Sequence, residues 1–252
     1  MTAVLITGAG SGIGAGLAAA LGRSGQHVIV SDVDERAAGS VAESIRASGC
    51  SAESLGMDVT SDGSVGSALA SLKGPIDVLV NNAGLQHVAS LEDFPMDRWA
   101  LLVDVMLIGV ARLTRAVLPG MRSRGFGRII NVGSIHSFVG SPFKSAYVAA
   151  KHGLIGFSKV IALETADTDI TVNTICPSYV RTPLVDKQIA EQARARAMPE
   201  SEVVGKVMLG PMPKHAFVSF EEIAAATAFL ASSAARNITG QAIVIDGGWT
   251  AQ

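Results

Sequence analysis

Three side chains that can carry a proton or bind an oxygen atom occur within residues 134–151. Tyr147 and Lys151 are four positions apart, so on a helix they share one face and lie within reach of each other. Ser134 precedes them in the same segment. A hydroxyl, a phenol and an ammonium group together could exchange a proton with a reacting oxygen. A half-buried tyrosine beside a lysine is also common on amphipathic helices, so this pair alone does not establish catalysis.

The elements that would position these residues alternate between short β-branched runs and longer helical patterns rich in alanine and leucine. The predicted strands are residues 3–7, 27–31, 76–80, 128–132, 170–175 and 242–245. Parallel strands need crossover connections, which helices supply. The pattern therefore predicts an α/β fold in one Rossmann-type domain, residues 1–252, with a doubly wound parallel sheet and helices on both faces.

One segment departs from this alternation. Residues 182–215 contain four prolines and a polar helical stretch between the strand that ends near Cys176 and the helix that starts near Ser219. Open α/β sheets bind ligands beyond the carboxyl ends of their strands, so we predict a small helical lid insertion over a site. A plain surface excursion is the alternative.

Composition limits the kind of partner. Hydrophobic residues make up 48% of the chain and charged residues 17%, which is typical of a compact globular protein. The net charge of −2 and the scattered basic residues argue against nucleic acid or an anionic membrane surface. The most apolar stretch, residues 99–111, is interrupted by Asp104, and the N-terminus reads as a strand and turn. We therefore expect a cytoplasmic protein with a small ligand.

Neither cysteine suggests a metal centre or a nucleophile. Cys50 and Cys176 lie in apolar or small-residue surroundings without the spacing of metal ligands. We predict two free thiols and no metal site.

A glycine-rich loop follows the first strand directly, and a helix follows the loop. Glycines permit positive φ and close backbone approach, while the helix N-terminus supplies free N–H groups. A tight turn is the alternative, but the strand before and the helix after favour phosphate binding. The predicted phosphate-binding residues of this loop are Gly8, Ser11, Gly12, Ile13 and Gly14.

Acidic residues at the ends of the next strands predict the rest of a dinucleotide site. Asp32 ends the second strand, where its carboxylate could bind the ribose hydroxyls of NAD and repel the extra phosphate of NADP. Asp32 could instead cap the next helix, although Asp34 is better placed for that role. The cofactor is therefore predicted to be NAD. Further predicted contacts are Asp58, Val59, Asn82, Ala83 and Gly84.

Five ordered motifs resemble those of the short-chain dehydrogenase/reductase family across essentially the whole chain. They are TGAGSGIG, NNAG, the serine of NVGS, YVAAK and the late DGG. The resemblance implies an NAD(P)-dependent carbonyl reductase or alcohol dehydrogenase, usually a homotetramer. Apolar residues in excess of one buried stripe in residues 99–119 and after Tyr147 fit such an assembly, although burial within a monomer would also explain them.

The same resemblance assigns roles to individual residues. Tyr147 would be the general acid/base, and Lys151, with the positive nicotinamide ring, would lower the pKa of Tyr147 and hold the nicotinamide ribose. Ser134 would hydrogen-bond the substrate oxygen. Val180 and Thr182 would contact the nicotinamide.

Met106 departs from the family pattern. It occupies the position at which the family usually has an asparagine that helps to order a water linked to the lysine. A thioether is a poor acceptor and no donor. The change concerns proton exchange with solvent rather than hydride transfer.

Four segments at the predicted ligand end read AGLQHVASLEDFP, SIHSFVGSPFKSAYVAAKHG, CPSYVRTPLVDKQI and IDGGWTAQ. They resemble more narrowly the bacterial D-3-hydroxybutyrate dehydrogenases. This resemblance implies a site for a small carboxylate-bearing hydroxy or keto acid, formed by Gln86, Ser134, His136, Lys144, Tyr147, Tyr179, Gln188 and Trp249. Separately, Lys144 could be solvated, His136 could be a turn residue, and the two glutamines carry little information. Tyr179 stands where these enzymes usually have tryptophan, and Ser178 replaces a glycine.

The motifs and the two resemblances lead to three hypotheses about the function. The leading one is reversible oxidation of (R)-3-hydroxybutyrate to acetoacetate with NAD. The second is the same chemistry on another small hydroxy or keto acid or a secondary alcohol. The third is a non-catalytic NAD-binding protein, for which Met106 is the only support.

Overall fold

The computed structural model describes residues 1–251 and contains a single seven-stranded parallel sheet in the order β3-β2-β1-β4-β5-β6-β7. Gln252, the last residue of the predicted domain, lies outside the described residues. All six predicted strands are confirmed within a few residues, and β3 supplies a seventh just before Asp58. The strands are β1 Ala3–Ile6, β2 His27–Asp32, β3 Ala52–Gly56, β4 Val78–Asn81, β5 Phe126–Val132, β6 Asp169–Pro177 and β7 Ala242–Ile245.

Helices cover both faces of the sheet, as predicted. They are α1 Gly12–Arg23, α2 Glu35–Ala47, α3 Asp62–Ser71, α4 Met96–Val103, α5 Gly109–Arg124, α6 Ser145–Glu164, α7 Pro183–Arg196, α8 Glu200–Glu202 and α9 Phe220–Ala231. Within residues 1–251, no helix combines the length and the hydropathy needed to cross a membrane.

Alternation along the strands divides the core into two layers. Val4 and Ile6 of β1 pack against α1, α2 and α9, whereas Leu5 between them packs with α3, α5 and α6 on the other face. Successive strand residues point to opposite faces, and both faces are covered here, so β1 is apolar throughout. A sheet buried on both sides leaves its strand ends as the place for polar chemistry.

The strand order reverses direction beside β1, which lies between β2 and β4. The connection after β1 goes to one side of the sheet and the connection after β4 goes to the other. A crevice therefore opens beyond the carboxyl ends of these two strands. The glycine-rich loop follows β1, and the NNAG segment begins at the end of β4.

The predicted insertion, residues 182–215, contains α7, α8 and a π-helical turn, Val203–Leu209. Its apolar residues form a third core cluster with the end of β6, composed of Tyr179, Val185, Ile189, Ala193, Val203 and Met208. An isolated parallel bridge between Val180 and Val218 joins the two ends of this excursion. The segment thus carries its own small core next to the strand ends.

Candidate active site

The glycine-rich loop has the backbone shape that a diphosphate requires. Gly8 and Gly12 adopt positive φ angles of 61° and 56°. A Cβ on Gly14 would lie 2.4 Å from the carbonyl oxygen of Gly8, so only glycine fits there. Ser11 precedes α1 without a side-chain hydrogen bond to the helix, which leaves the first N–H groups of α1 free to bind phosphate oxygens.

Thr7 and Asn82 fasten this loop to the NNAG segment. The side-chain amide of Asn82 donates to the carbonyl oxygens of Thr7 and Gly8 at 2.9 and 3.0 Å. The backbone N–H groups of Asn82 and Ala83 both donate to Oγ1 of Thr7 at 3.0 Å. Thr7 is thus a structural residue of the site that is not among the predicted ones, although its place between a strand and a glycine-rich loop is a signal visible in the sequence.

The Asp32 carboxylate faces the glycine-rich loop. Its Oδ2 accepts from the backbone N–H of Gly10 at 2.9 Å, and its Oδ1 accepts from the N–H of Asp34 at 3.0 Å. Asp34, not Asp32, caps α2, because its side chain accepts from the N–H groups of Arg36 and Ala37. The alternative that Asp32 serves as the helix cap is therefore wrong.

A single cleft of about 690 Å³ joins most of the predicted site residues. At the cofactor end these are Gly8, Ser11, Gly12, Ile13, Asp32, Asp58, Val59, Asn82, Ala83, Gly84, Val180 and Thr182. At the reacting end they are Gln86, Ser134, His136, Lys144, Tyr147, Lys151, Tyr179 and Gln188. The remaining two predicted residues lie beside the cleft. Gly14 packs against the glycine-rich loop, and Trp249 packs against Tyr179 and His136.

The Asp58 carboxylate is held beside the cofactor end by its own turn. Its Oδ1 accepts from the backbone N–H and the hydroxyl of Thr60 at 2.8 and 2.7 Å. The backbone N–H of Asp58 in turn donates to Oγ of Ser64 on α3. These contacts fix the loop after β3 in place.

The residues singled out for proton transfer come together at the end of β5 and on α6. Lys151 donates from Nζ to the carbonyl oxygen of Val132 at 2.6 Å, and Nζ lies 5.7 Å from the centre of the Tyr147 ring. The hydroxyl of Ser134 accepts from the N–H of His136 at 3.1 Å. The hydrogen bond to Val132 holds Lys151 against β5, and Tyr147 lies on the same face of α6 as Lys151. Both side chains therefore line the cleft beside Ser134.

Burial shifts the pKa values of Tyr147 and Lys151 in opposite directions. Burial raises the pKa of Tyr147 to about 12, against the opposing effect of a hydrogen bond with Ser134. Burial lowers the pKa of Lys151 to about 8, opposed by the nearby Cys176 thiol. The protein's own groups therefore shift the pKa of Tyr147 upward, opposite to the direction predicted for the enzyme with an oxidised nicotinamide. The physical reason is that burial disfavours the charged phenolate.

Met106 lies in a π-helical turn, Asp104–Ile108, that joins α4 to α5. Its side chain is fully buried, and a Cβ placed on Gly84 would lie 3.7 Å from its sulfur atom. The thioether therefore packs beneath the NNAG segment and lines the cleft. It supplies an apolar surface where the family pattern has a polar amide.

Lys144 is a buried cation without an anionic partner. Its side chain is 1% exposed, and Nζ donates to the hydroxyl of Tyr179 and to Oε1 of Gln188, both at 3.2 Å. Within the described part of the chain, no carboxylate pairs with it. The alternative that Lys144 is a solvated surface residue is therefore wrong. A third N–H remains for an acceptor in the cleft.

His136 presents two unsatisfied nitrogens to the same region. Its ring is buried, and neither nitrogen makes a hydrogen bond of good geometry within residues 1–251, although the backbone of Val139 lies close enough to raise the pKa of the ring against the larger effects. Burial, and next the charge of Lys144, lower the pKa of His136 to about 3, so the ring is neutral near pH 7. A neutral imidazole has one donor and one acceptor for a ligand.

Aromatic rings enclose this end of the cleft. Tyr147, Tyr179 and Trp249 lie edge-on to His136 at centroid distances of 6.2, 6.2 and 5.8 Å. Trp249 stacks on Tyr179 at 6.3 Å. Asp246, which the sequence analysis noted only as part of a motif, holds the turn that carries Trp249, because it accepts from Gly248 and Thr250.

Gln86 and Gln188 approach from opposite sides. Gln86 follows the NNAG segment, and its Oε1 accepts from the N–H of His87 at 3.1 Å, which leaves its NH₂ group for a ligand. Gln188 projects from α7 and is 6% exposed. The reacting end of the cleft thus combines the ammonium groups of Lys144 and Lys151 with the neutral imidazole of His136, two amides, two phenols and the hydroxyl of Ser134. This donor set suits a small anion that carries a second oxygen.

Comparisons with known proteins agree with this geometry. A family model described as enoyl-(acyl carrier protein) reductase matches residues 8–250. The D-beta-hydroxybutyrate dehydrogenase of Rhizobium meliloti is 42% identical over 257 residues, which cover 98% of this chain and 98% of that protein. The protein of the same name from Cupriavidus necator is also 42% identical, over 98% of this chain and 97% of its own length.

A solved structure shares the architecture. The gluconate 5-dehydrogenase of Burkholderia cenocepacia, in complex with NADP and tartrate, superposes with a TM-score of 0.90 at 32% identity. The match covers 100% of this chain and 96% of that one. The full-length matches, the sheet order and the motif positions lead to one conclusion: the chain belongs to the short-chain dehydrogenase/reductase family of oxidoreductases, which use a nicotinamide cofactor.

Proposed function

We propose that the protein catalyses the reversible, NAD-dependent oxidation of (R)-3-hydroxybutyrate to acetoacetate. The observation that carries this proposal is the buried ammonium of Lys144, whose hydrogen-bond partners within residues 1–251, Tyr179 and Gln188, are both neutral. A buried charge is costly unless a counter-charge or several hydrogen bonds compensate it. A substrate carboxylate supplies both.

The neighbours of Lys144 support a carboxylate rather than a phosphate. Gln188, His136 and Tyr179 are neutral donors and acceptors, so Lys144 supplies the one positive charge among these four residues, which a singly charged carboxylate matches better than a doubly charged phosphate. A carboxylate needs two oriented donors and one charge, which this set supplies. The acid is therefore small and singly charged at this end.

The proton step falls to two residues of α6 and to Ser134 in the turn after β5. Tyr147 takes the proton of the substrate hydroxyl in oxidation and returns it to the carbonyl oxygen in reduction. Ser134 donates a hydrogen bond to the same oxygen and so stabilises its developing negative charge. Lys151 favours the phenolate electrostatically and holds the ribose of the cofactor. When bound, the nicotinamide accepts the hydride from the alcohol carbon.

NAD is favoured over NADP by the position of Asp32. Its carboxylate reaches the glycine-rich loop and lines the cofactor end of the cleft. At that position it can accept hydrogen bonds from two ribose hydroxyls but repels a phosphate. The Burkholderia cenocepacia structure contains NADP, so this choice needs its own test.

A related acid is the second candidate, and Tyr179 is the observation that favours it. The hydroxyl of Tyr179 accepts from Lys144, so this wall of the cleft is more polar than a tryptophan would make it. An acid with an additional oxygen near its carboxylate could use that hydroxyl. The related gluconate 5-dehydrogenase structure holds tartrate, a hydroxy acid.

We further propose that the protein is cytoplasmic and that residues 182–215 act as a lid over the substrate. We also propose that four copies of the chain form a homotetramer. Exposed apolar side chains on the outer helices and the edge strand support subunit contacts; they are Ile108, Val160, Leu163, Phe229 and Val244. Light scattering coupled to size-exclusion chromatography measures the assembly.

The formation of NADH tests the proposed function. The enzyme is incubated with (R)- or (S)-3-hydroxybutyrate and with NAD or NADP, and the absorbance of the reduced cofactor is followed. We expect a strong rate only with the R enantiomer and NAD. Activity on another hydroxy acid alone would support the second candidate. Tight NADH binding without turnover of a broad alcohol panel would contradict both.

A further inference from the structure

Helix α7 presents a continuous polar face toward the turn that precedes α6. Gln188, Gln192 and Arg196 are spaced four residues apart, so they lie along one side of the helix. Gln188 accepts from Lys144, and Gln192 accepts from Nε of Arg196 at 3.2 Å. Gln192 is 1% exposed although it lies on an insertion. This face is therefore packed against protein.

The far end of the face contacts Phe143, the residue before Lys144. The guanidinium of Arg196 lies 5.5 Å from the centre of the Phe143 ring, within the range of a cation–π contact. The same helix thus contacts two consecutive residues, Phe143 through Arg196 and Lys144 through Gln188.

The backbone at Phe143 is strained. Its φ of +69° lies in the left-handed region, which side chains with a Cβ disfavour. A non-glycine residue holds such a conformation only when its surroundings fix it. One restraint is the hydrogen bond from the N–H of Ala89 to the carbonyl oxygen of Phe143 at 3.0 Å. The Arg196 guanidinium, which lies over the ring, is a second contact from a distant part of the chain.

We propose that Arg196 is a positioning residue for Lys144. By holding the Phe143 ring, it keeps the turn in its left-handed conformation, and this conformation directs the Lys144 side chain into the cleft instead of into solvent. The insertion therefore contributes to the acid site twice: Gln188 contacts the ammonium group directly, and Arg196 fixes the backbone from which that group extends.

Chemical labelling of Lys144 tests this proposal without any assumption about the substrate. The protein is treated with a small amine-reactive reagent, and the rate of modification at each lysine is measured by peptide mass spectrometry. Arg196→Ala should speed labelling of Lys144 by about two- to fivefold, the effect of losing one partly exposed cation–π contact. Labelling of Lys151, which is buried elsewhere in the cleft, should not change.

Matched variants separate positioning from general loosening. Arg194→Ala removes an exposed arginine from the same helix and should leave the Lys144 rate at the wild-type value. Arg196→Lys retains a cation and should restore most of the protection. Phe143→Leu removes the ring and should reproduce the effect of Arg196→Ala. The double variant should show less than the product of the two single effects.

The kinetic part of the proposal rests on the function proposed above. Arg196→Ala should raise KM for (R)-3-hydroxybutyrate by about two- to fivefold with kcat unchanged, since only placement of the acid group is disturbed. If the substrate assignment fails, the labelling result still stands. Wild-type labelling of Lys144 in both Arg196→Ala and Phe143→Leu would overturn the positioning role, whatever the substrate. If one variant does not fold, the other carries the test.

Discussion

The ammonium group of Lys144 lies 3.2 Å from Oε1 of Gln188, and this contact joins two distant parts of the chain. Lys144 immediately precedes α6, the helix that carries Tyr147, whereas Gln188 belongs to α7 of the insertion. The proposed acid site is therefore completed only where the insertion packs against the start of the catalytic helix. In the proposed function, the hydrogen bond between Lys144 and Gln188 couples binding of the acid to the placement of the insertion.

Removing the charge of Asp32 should relax the choice of cofactor. Asp32→Asn retains an oxygen that can accept from the loop but loses the charge that repels the NADP phosphate. We expect the ratio of kcat/KM for NAD to that for NADP to fall about tenfold or more, equivalent to ~1.4 kcal/mol. Asp34→Asn is the matched control, because Asp34 caps α2. An unchanged ratio in Asp32→Asn would contradict the role of Asp32.

The pKa of Tyr147 can be measured directly because the chain has only two tyrosines. In Tyr179→Phe, the phenolate absorbance reports Tyr147 alone, with Tyr147→Phe/Tyr179→Phe as the baseline. Burial holds the pKa near 12, so no phenolate should form up to about pH 10, and NAD should shift the titration downward because its ring is positive. Titration at or below the ordinary value of 10.0 without NAD would contradict the structure.

Neutral, buried His136 should make the fold sensitive to acid. Its pKa is about 3 in the folded chain and near 6.5 when unfolded, so the unfolded state takes up the proton first as pH falls. The stability contribution is therefore complete above pH 6.5 and is lost as pH falls toward 3. Tm should fall more steeply from pH 7 to about pH 4.5 in the wild type than in His136→Gln, by roughly 2–4 °C for each ~1 kcal/mol. Parallel curves would show that folding does not lower the pKa of His136.

The sheet and the cofactor end could be predicted because their signals are local. A β-branched run followed by glycines and a helical pattern specifies a strand, a glycine-rich turn and a helix within residues 3–23. Asp32 is the last residue of β2, so its position at the carboxyl edge of the sheet follows from strand pairing alone. Because both faces of the sheet are buried, these strands are continuous apolar runs, which are easy to recognise in a sequence.

The reacting end depends on contacts between distant residues. The sequence around Phe143 does not predict a left-handed backbone conformation. The environment of Lys144 depends on Gln188, which lies far along the chain. The pKa of Tyr147 depends on desolvation, which spacing does not reveal. The π-helical turn at Met106 interrupts what the sequence presents as one continuous helix. Tertiary packing sets each of these features.

Kinetics of Lys144→Met test the central claim most directly, with Lys159→Met, an exposed lysine on α6, as the control. Methionine keeps the apolar length of the side chain and removes its charge. A charge-assisted hydrogen bond contributes about 1.5–3 kcal/mol, so KM for (R)-3-hydroxybutyrate should rise about 10- to 100-fold while kcat changes little. The control should match the wild type. An unchanged KM in Lys144→Met would show that the buried ammonium does not bind the carboxylate.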